Sequence, residues 1–197
     1  MKRYVLATNN PGKLREMRAI FQSPGRQLLS LSEAGAACDP EETGLTFTEN
    51  AVIKAKAAME VTGLAAIADD SGLVIDALGG RPGVHSSRYA RPGSRKRTIL
   101  EQMKHLPRPQ RTARFVSVVA CAYPGGRVIT AEGVCEGEIA LDMRGTEGFG
   151  YDPIFYVPEY GCTFAEMSAE LKNAISHRAK AFHNLNALLS KEEETQC

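Results

Sequence analysis

Residues 66–89 of the chain read AIADDSGLVIDALGGRPGVHSSRY, two apolar runs separated by a pair of aspartates and a Ser-Gly dipeptide. The first run begins at Leu64 and has the length of a buried strand, and the second covers 73–78. Because Ser71 and Gly72 are typical turn residues, the pattern predicts a hairpin of two strands around them.

The two aspartates, Asp69 and Asp70, lie at the end of the first predicted strand. Neighbouring residues of a strand point to opposite faces, so the two carboxylates are predicted to have different roles. One is expected to be held by backbone or turn groups, and the other to point into the space beyond the strand. The alternative is an Asx-type turn with no catalytic or binding role. This stretch alone does not decide between the functional and the structural interpretation.

Composition is typical of a globular protein of one large domain or two small ones. Of its 197 residues 43% are hydrophobic and 24% charged, and the net charge of +1 gives no general attraction to nucleic acid. No apolar run approaches the roughly 20 residues of a spanning helix, so no membrane partner is expected. The N-terminus MKRYVLATNN lacks the apolar core of a signal peptide. The five cysteines form no C-x-x-C pair, which predicts reduced thiols and a cytoplasmic protein.

A strand, a polar loop and a helix are predicted at the N-terminus. Residues 4–7 read as the strand, TNNPGK follows, and a helical pattern begins at Leu14. This layout places backbone N–H groups and Lys13 at a helix N-terminus, where phosphates bind. The loop does not match a Walker A pattern, since Ala7 and Leu14 stand where that pattern requires Gly and Ser or Thr. An ordinary strand-to-helix connection is the alternative.

Two charged positions accompany the clearest helix, predicted over 46–62 from its capping box and the glycine that follows it. Glu41, in an acidic pair before this helix, is either a solvated loop charge or a carboxylate offered to a metal. Lys54 lies off the apolar stripe of the helix, and it is either solvated or reaches an anion.

Glycines and cations characterise the C-terminal part. Phe149 stands between two glycines in GTEGFGYDPIFYVP, where an aromatic ring can lie flat on a base or pack in a tight loop. A helix is predicted to begin at His177, which puts two cations into its first turn against the helix dipole. Together with Lys172, His177 and Arg178 form a predicted anion site.

A basic segment and a hairpin lie in the middle of the chain. Residues 88–114 carry nine Lys and Arg against Glu101, either a solvated surface or a rim that attracts a polyanion. No aromatic residue interleaves with these cations after Tyr89, so nucleic acid is not expected as a partner. Residues 115–123 and 128–134 flank Pro-Gly-Gly-Arg as a hairpin. Hairpins mixed with strand–helix units predict an α/β fold with a mixed sheet.

Taken together, these stretches describe a nucleoside triphosphate site. Cations suit phosphates, an aromatic ring suits a base, and carboxylates suit Mg²⁺, which binds few protein oxygens while phosphates complete its coordination.

Five blocks of the chain, in this order, carry a resemblance to a known family: ATNNPGK, EETGLTFTENAVIKA, AIADDSGLVIDALGGRPGVHSSRY, EGFGYDPIF and KNAISHR. Over about 5–189 the chain resembles the inosine triphosphate pyrophosphatases, which remove non-standard purine nucleotides. The resemblance implies an elongated mixed β-sheet flanked by helices, with two lobes and a central nucleotide cleft. It also implies one domain over 1–197, a homodimer and Mg²⁺ as cofactor, while the acidic end, 190–197, is predicted to be a disordered tail.

The resemblance also implies the site residues. Asp70 resembles the proton acceptor for the attacking water, and Glu41 and Asp70 resemble the Mg²⁺ ligands. The residues implied to bind substrate are Thr8, Asn9, Asn10, Pro11, Gly12, Lys13, Lys54, Ser71, Phe149, Gly150, Tyr151, Asp152, Lys172, His177 and Arg178. Because a guanidinium only donates hydrogen bonds, Arg178 is expected to favour a 6-oxo purine, whereas Phe149 is expected to stack on any base.

Two other functions remain open. One is a Maf-type pyrophosphatase that acts on pyrimidine or methylated nucleotides, and the other is a non-catalytic nucleotide- or RNA-binding module that uses the basic segment. A candidate base beside a candidate metal carboxylate argues against the non-catalytic alternative. The segment ARPGSRKRTILEQM departs from the family pattern, whose linker is longer and more acidic, so the charge of this rim is not carried over.

Overall fold

The computed structural model of the protein describes residues 1–21 and 25–195, which form an α/β fold. The strands are β1 (Lys2–Leu6), β2 (Arg26–Ser30), β3 (Ala65–Ile75), β4 (Thr112–Ala122), β5 (Val128–Ile139), β6 (Phe155–Val157) and β7 (Cys162–Thr163). The helices are α1 (Pro11–Ile20), α2 (Phe47–Thr62), α3 (Arg95–Gln102), α4 (Ala169–Ile175) and α5 (His177–Thr195). Over these described residues, no helix has the length and apolar character to cross a membrane.

The sheet contains both parallel and antiparallel strands, as the sequence predicts. Its strand order is β2-β1-β3-β4-β5-β6-β7. Strand β1 pairs in parallel with β2 and with β3, and Val5 lies opposite Ala66 in the second of these pairs. Strand β6 pairs antiparallel with β5 and with β7. The β4–β5 hairpin turns at 123–127, where Tyr123 N donates to Arg127 O at 2.9 Å.

The predicted hairpin around Ser71 and Gly72 is wrong, because β3 runs through both residues as one strand of 11 residues. Gly72 does not adopt the left-handed conformation that a tight hairpin turn requires. Ala66 before the aspartates and Ile75 after them are both fully buried. Burial of both apolar runs along one strand therefore outweighs the local turn signal.

The chain divides into two compact units. The first comprises Met1–Asp70, Ser117–Gly133 and the chain from His177 onward, and the second comprises Ser71–Val116 and Val134–Ser176. Among the described residues, the buried apolar side chains form three clusters, two within the first unit and one within the second. The prediction of a single domain over 1–197 stays a prediction.

In the first unit, small residues lie where α2 and α5 each pack against strands of the sheet. Ala51, Ala55 and Ala58 of α2 are fully buried, and Val52 and Met59 flank them half-buried, so the predicted stripe is centred on the alanines. Helix α2 has the predicted capping box at Thr46 and a left-handed Gly63 at its end. Helix α5 begins against β5, where a Cβ on Gly133 would come within 2.2 Å of the His177 carbonyl oxygen.

In the second unit, three phenylalanines and one buried arginine organise the core. The ring centroids of Phe115 and Phe155 are 4.6 Å apart, and those of Phe155 and Phe164 are 4.9 Å apart. The guanidinium of Arg111 donates to the carbonyls of Ile139 and Ala140, both at 2.7 Å, and to Met103 O at 2.5 Å. Since these bonds replace water, the Arg111 charge can be buried, and it ties the end of α3 to the end of β5.

Helix α5 continues to Thr195, so residues 190–195 are helical where the sequence predicts a disordered tail. The stretch SKEEET contains lysine and glutamates, which have good helix propensity and extend a helix that is already packed. The last two residues of the predicted tail lie outside the described residues.

Candidate active site

Asp69 is the buried centre of one side of β3. Its side chain accepts from Arg178, whose Nε and Nη2 lie 3.3 and 3.2 Å from Oδ2, and the Lys13 ammonium lies 3.1 Å from Oδ1. Burial alone would raise the pKa of Asp69, but the charges of Lys13 and Arg178 outweigh it and hold the pKa well below its usual range. Asp69 is therefore a carboxylate kept ionised by the two cations that it binds.

Arg178 is itself enclosed by carboxylates. It is 2% exposed, and besides its two bonds to Asp69 it donates from Nη1 to Glu16 of α1. Burial would lower the pKa of Arg178, but Asp69 and Glu16 more than offset that effect. We call these four residues, Lys13, Glu16, Asp69 and Arg178, the Asp69 side. Glu16 was not predicted from the sequence, although its place three residues after Lys13 puts both on one face of α1.

The loop before α1 is held by its own polar groups. Asn10 caps the helix, because its Oδ1 accepts from Gly12 N at 2.9 Å and from Lys13 N at 3.2 Å. Pro11 occupies the first helical position, where its missing N–H is not needed. Two backbone donors that the sequence assigned to phosphate are therefore used by the cap, while the Lys13 side chain points to Asp69. Burial lowers the pKa of Lys13 even with Asp69 beside it.

Thr8 and Asn9 complete this loop. Thr8 Oγ1 accepts from Asn10 N at 3.2 Å, and Asn9 Nδ2 donates to Cys38 O at 3.2 Å. Asn9 and Asn10 are exposed and Thr8 is half-buried, so the loop is ordered and open to a ligand.

Asp70 is the centre of the other side of β3. It is 6% exposed, with Lys54 Nζ 2.7 Å from Oδ1 and Asn50 Nδ2 3.4 Å from Oδ2. Burial raises the pKa of Asp70, and the Lys54 ammonium opposes that shift without cancelling it. Asp70 thus combines a raised pKa with a single lysine partner, and a buried carboxylate with a raised pKa is a candidate proton acceptor.

Lys54 bridges Asp70 to the loop before α2. Its Nζ lies 2.8 Å from Glu42 Oε1, whereas the neighbouring Glu41 is exposed. Burial would lower the pKa of Lys54, but the carboxylates around it, Asp70 first, raise it. The structure therefore brings Glu42 to this bridge, and the predicted role of Glu41 as a metal ligand remains a prediction.

Asn50 was also missed by the sequence analysis. It is fully buried, and its Oδ1 accepts from Gly44 N at 2.9 Å while its amide nitrogen faces Asp70. A Cβ on Gly44 would come within 2.7 Å of Asn50 Oδ1, so only glycine fits there. Asn50 precedes Lys54 by four residues, a spacing that predicts a shared face of α2. We call Glu42, Asn50, Lys54 and Asp70 the Asp70 side.

The opposite orientation of the two aspartates is confirmed. Asp69 meets side chains of α1 and α5, and Asp70 meets side chains of α2. The strand alternation predicted from the sequence therefore holds, even though the predicted turn does not.

In the second unit, Asp152 organises the residues 148–152, the Phe149 loop. Its Oδ2 accepts from Lys172 Nζ at 2.6 Å and from Phe149 N at 2.7 Å. Gly148 has a left-handed φ of 73°, and a Cβ there would come within 2.0 Å of Asp152 Oδ2. Glycine at 148 thus lets the Asp152 carboxylate approach the loop backbone closely.

Lys172 of α4 also contacts the ring of Phe149. The Lys172 ammonium is 4.9 Å from the Phe149 ring centroid and 5.6 Å from that of Phe164, a cation–π arrangement in a buried setting. The half-buried Phe149 ring and the exposed Gly148 and Gly150 are the parts of the loop open to a ligand.

Tyr151 and Ser71, also predicted to bind substrate, lie in the second unit as well. The Tyr151 hydroxyl donates to Ser86 O at 2.8 Å, and burial raises the pKa of Tyr151 to about 12, so its phenol remains a donor. Ser71 is half-buried within β3. Lys172 is in this unit, whereas His177 and Arg178 are the first residues of α5 in the first unit. The three cations of the predicted anion site therefore belong to two different units.

The Asp70 side has a donor set that suits a hard cation. Among the residues that the structure describes, no group of three or more His, Cys, Asp or Glu side chains could hold a metal. Two carboxylates, those of Glu42 and Asp70, already share one cationic group, the Lys54 ammonium. Mg²⁺ is held in proteins by one or two carboxylates together with substrate phosphates, so this set fits it.

Comparison with known proteins gives consistent matches over nearly the whole chain. The model of the Ham1 family matches residues 4–188. The dITP/XTP pyrophosphatase of Desulforamulus reducens is 48% identical over 95% of this chain and 95% of its own length. That of Geobacillus kaustophilus is 51% identical over 94% and 93%, and that of Bacillus subtilis is 47% identical over 96% and 98%.

Solved structures of Ham1 proteins are also similar to this chain over nearly its whole length. A HAM1 protein from Coxiella burnetii superposes with a TM-score of 0.87 at 44% identity, covering 97% of this chain and 100% of its own. The Ham1 protein of Staphylococcus aureus gives a TM-score of 0.85 at 40% identity, with the same coverage.

Proposed function

The chain belongs to the Ham1 family, and from this premise we propose that it is a nucleoside triphosphate pyrophosphatase. Its substrates are non-standard purine nucleotides, ITP, dITP and XTP, and its products are the monophosphate and pyrophosphate. Relatives that are about half identical to this chain are named dITP/XTP pyrophosphatases. The observation in the molecule that carries the proposal is Asp70, a buried carboxylate with a raised pKa whose Oδ1 lies 2.7 Å from the Lys54 ammonium.

Asp70 is proposed as the proton acceptor. The attacking water transfers a proton to the Asp70 carboxylate as its oxygen bonds to phosphorus, and the bond to the departing pyrophosphate breaks. A raised pKa makes the carboxylate a better acceptor near neutral pH. Asn50 holds the second carboxylate oxygen, so the first is presented in a fixed direction.

The triphosphate is assigned to the first unit. Lys13 and Lys54 supply the cations, and the open loop of Thr8, Asn9, Asn10, Pro11 and Gly12 supplies polar groups. Both lysines are paired with an aspartate, and their side chains are 17% and 15% exposed, so each can offer a donor to phosphate while its charge stays compensated.

Mg²⁺ is proposed as the cofactor, held by Asp70 and a carboxylate of the loop before α2. Glu41 is the ligand that the resemblance implies, and Glu42 is the residue whose carboxylate approaches Lys54. When bound, the ion neutralises triphosphate charge that would otherwise repel the attacking oxygen.

The base is assigned to the Phe149 loop of the second unit. Phe149 supplies a stacking ring, and Asp152 and Tyr151 hold the loop in place through Lys172, the Phe149 N–H and Ser86. Ser71, Lys172 and His177 are assigned to substrate by the resemblance. The assignment of Arg178 to the 6-oxo group stays a proposal, since its guanidinium bonds Asp69 and Glu16.

The basic segment, residues 88–114, gives little support to a nucleic-acid-binding function. Arg108 pairs with Glu138 at 2.9 Å and Arg114 with Asp76 at 2.7 Å. Arg111 is buried within the protein, so these cations already have partners. No contact of the described residues favours a Maf-type activity over the proposed one.

Assembly as a homodimer and a cytoplasmic location are further proposals. The dimer is supported by the family resemblance, and light scattering should give twice the mass of the 21.4 kDa chain. A mass near one chain at micromolar protein would contradict it. The cytoplasm is supported by a nucleotide substrate and by Cys38, Cys121, Cys135 and Cys162, none of which is in a disulfide.

The function is tested by pyrophosphate release from a panel of nucleotides, with and without Mg²⁺. We expect ITP, dITP and XTP to be hydrolysed far faster than ATP, GTP, pyrimidine or methylated nucleotides, and only with the metal. A preference for pyrimidine or methylated nucleotides would favour the Maf-type alternative. Binding of these nucleotides without any release would favour the non-catalytic one.

The same panel separates the base contacts. Phe149→Ala should weaken the binding of all substrates alike, by about 1–3 kcal/mol, because stacking does not depend on the hydrogen-bonding edges of the base. Arg178→Ala should reduce kcat/KM for ITP more than for ATP. An unchanged ratio would remove Arg178 as the source of selectivity without affecting the activity itself.

A further inference from the structure

One cationic group joins two carboxylates on the Asp70 side. The Lys54 ammonium is 2.7 Å from Asp70 Oδ1 and 2.8 Å from Glu42 Oε1. All three side chains are largely enclosed, with 15%, 8% and 23% of the Lys54, Asp70 and Glu42 side chains exposed. This arrangement places a monovalent cation among the carboxylates to which the proposed function assigns a divalent one.

We propose that Lys54 is a built-in substitute for the divalent cation, one that occupies the carboxylates until the nucleotide arrives. The triphosphate then draws the ammonium away, and the carboxylates become available to the metal that enters with the nucleotide. The inference rests on the proposed function and adds an order of loading to it: the metal binds poorly to the free protein and well with substrate.

Electrostatics explains why a substitute is needed. Two enclosed carboxylates without a cation repel each other and lose hydration, which is costly for buried charges. The Lys54 ammonium compensates that charge in the free protein. A divalent ion that approached the same oxygens would meet the ammonium at hydrogen-bond distance and be repelled by it. Lys54 thus stabilises the pair and opposes the metal at once.

The lysine side chain is suited to this exchange. An ammonium is a compact charge on a flexible four-carbon stem, so it can turn from one acceptor to another without movement of the helix. A triphosphate presents several anionic oxygens, which compete with Glu42 and Asp70 for the same donor. Asn50 continues to hold Asp70 Oδ2 when Lys54 leaves, so the carboxylate keeps its orientation.

Lys13 provides the contrast. Its ammonium lies 3.1 Å from Asp69, which is also held by Arg178. Removal of Lys13 would therefore leave a carboxylate that still has a cationic partner, whereas removal of Lys54 leaves Asp70 and Glu42 without the cation that bridges them.

The test measures binding of Mn²⁺ alone to the full-length, nucleotide-free protein, from the electron paramagnetic resonance signal of the free ion. Lys54→Gln should bind Mn²⁺ at least about tenfold more tightly than the unmodified protein, since one repelling charge next to the ion is gone. Lys56→Gln is the matched control, because it removes the same charge from an exposed position of the same helix. It should stay within about twofold. Asp70→Asn should abolish the tight binding of the Lys54→Gln protein.

An unchanged or weaker Mn²⁺ affinity of Lys54→Gln would overturn the proposal, as would an equal gain in Lys56→Gln. Lys54→Met serves as a second variant, and circular dichroism shows that each is folded. A measurement on the unmodified protein is independent of the variants: the ¹⁵N resonance of the Lys54 ammonium should be insensitive to millimolar Mg²⁺ alone. It should shift when an ITP analogue with a methylene bridge between the α and β phosphates is added. A shift with Mg²⁺ alone would contradict the order of loading.

These outcomes are distinguishable from failure of the proposed function, which is read from pyrophosphate release. Hydrolysis of ITP with an unchanged Mn²⁺ affinity in Lys54→Gln would reject the substitute and keep the enzyme. Tighter Mn²⁺ binding by Lys54→Gln without hydrolysis of any purine nucleotide by the unmodified protein would support the role of Lys54 and reject the proposed function.

Discussion

Asp69 and Asp70 are consecutive residues of one strand, both nearly buried, yet their surroundings differ in kind. Asp69 has two cations, Lys13 and Arg178, and its pKa is lowered. Asp70 has one cation and an amide, Lys54 and Asn50, and its pKa is raised. Burial opposes ionisation of both, and the number of compensating charges decides the outcome. One strand thus offers a structural carboxylate on one face and a candidate base on the other.

The lowered pKa of Asp69 makes it a poor candidate for proton transfer. A carboxylate with a strongly lowered pKa holds a proton poorly, so it is an inefficient base near neutral pH. Its two cations are held from α1 and α5, and Arg178 also bonds Glu16. The Asp69 side therefore ties helices to the sheet, whereas Asp70 has a single cationic partner, Lys54, which is proposed above to be displaced by substrate.

The largest expected effect on stability is that of Asp69→Asn. The substitution leaves Lys13 and Arg178 without their shared carboxylate, and breaking a buried ion pair in this way typically costs about 3–5 kcal/mol. Asp70→Asn should change the free energy of unfolding by less than about 1 kcal/mol, because neutralisation also relieves the burial of a charge. Urea unfolding of both variants checks this. Equal losses would erase the distinction between the two faces.

A smaller loss is expected for Glu16→Gln, which removes one of the two carboxylates of Arg178 and leaves Asp69. A lost charge-assisted hydrogen bond corresponds to about 1.5–3 kcal/mol. Because Glu16 and Asp69 share Arg178, the two substitutions should not be additive in a double-mutant cycle followed by urea unfolding. Additive losses would show that Glu16 acts outside the Asp69 side.

The pH dependence of stability should separate the two aspartates by sign. The folded pKa of Asp69 is lowered, so its stabilisation is present above the unfolded value of about 3.9 and is lost as pH falls through the folded pKa. The folded pKa of Asp70 is raised, so its ionisation disfavours folding as pH rises through that value, and the effect is relieved as pH falls. Asp69→Asn should therefore flatten the acid limb of the unfolding free energy, and Asp70→Asn should steepen it. The same slope in both variants would contradict these assignments.

The sequence predicts most elements of this fold for local reasons. The capping box at Thr46 and the glycine at 63 set the ends of α2 through backbone groups only a few residues away. The alternation of Asp69 and Asp70 follows from strand geometry alone. The predicted turn at Ser71 and Gly72 failed because burial along β3 is decided by strands distant in sequence.

The parts of the candidate site that the sequence missed depend on contacts between distant elements. Glu16 has a role only because Arg178, from the last helix, reaches α1. Asn50 acquires its role from Asp70 in β3, twenty residues further along the chain, and Glu42 acquires its role from Lys54 of α2. Lys54 was singled out as a cation, but its bridge between two carboxylates follows from the packing of α2 against β3.

The central claim, that Asp70 carries the chemistry and Asp69 the structure, is tested most directly by one rate measurement. Pyrophosphate release from ITP at saturating Mg²⁺ is compared for the unmodified protein, Asp70→Asn and Asp69→Asn, each shown to be folded at the assay temperature. The account predicts a fall of at least about 100-fold in kcat for Asp70→Asn, as for a lost general base, and a much smaller fall for Asp69→Asn. A fully active Asp70→Asn protein beside a folded but inactive Asp69→Asn protein would contradict it and reverse the two roles.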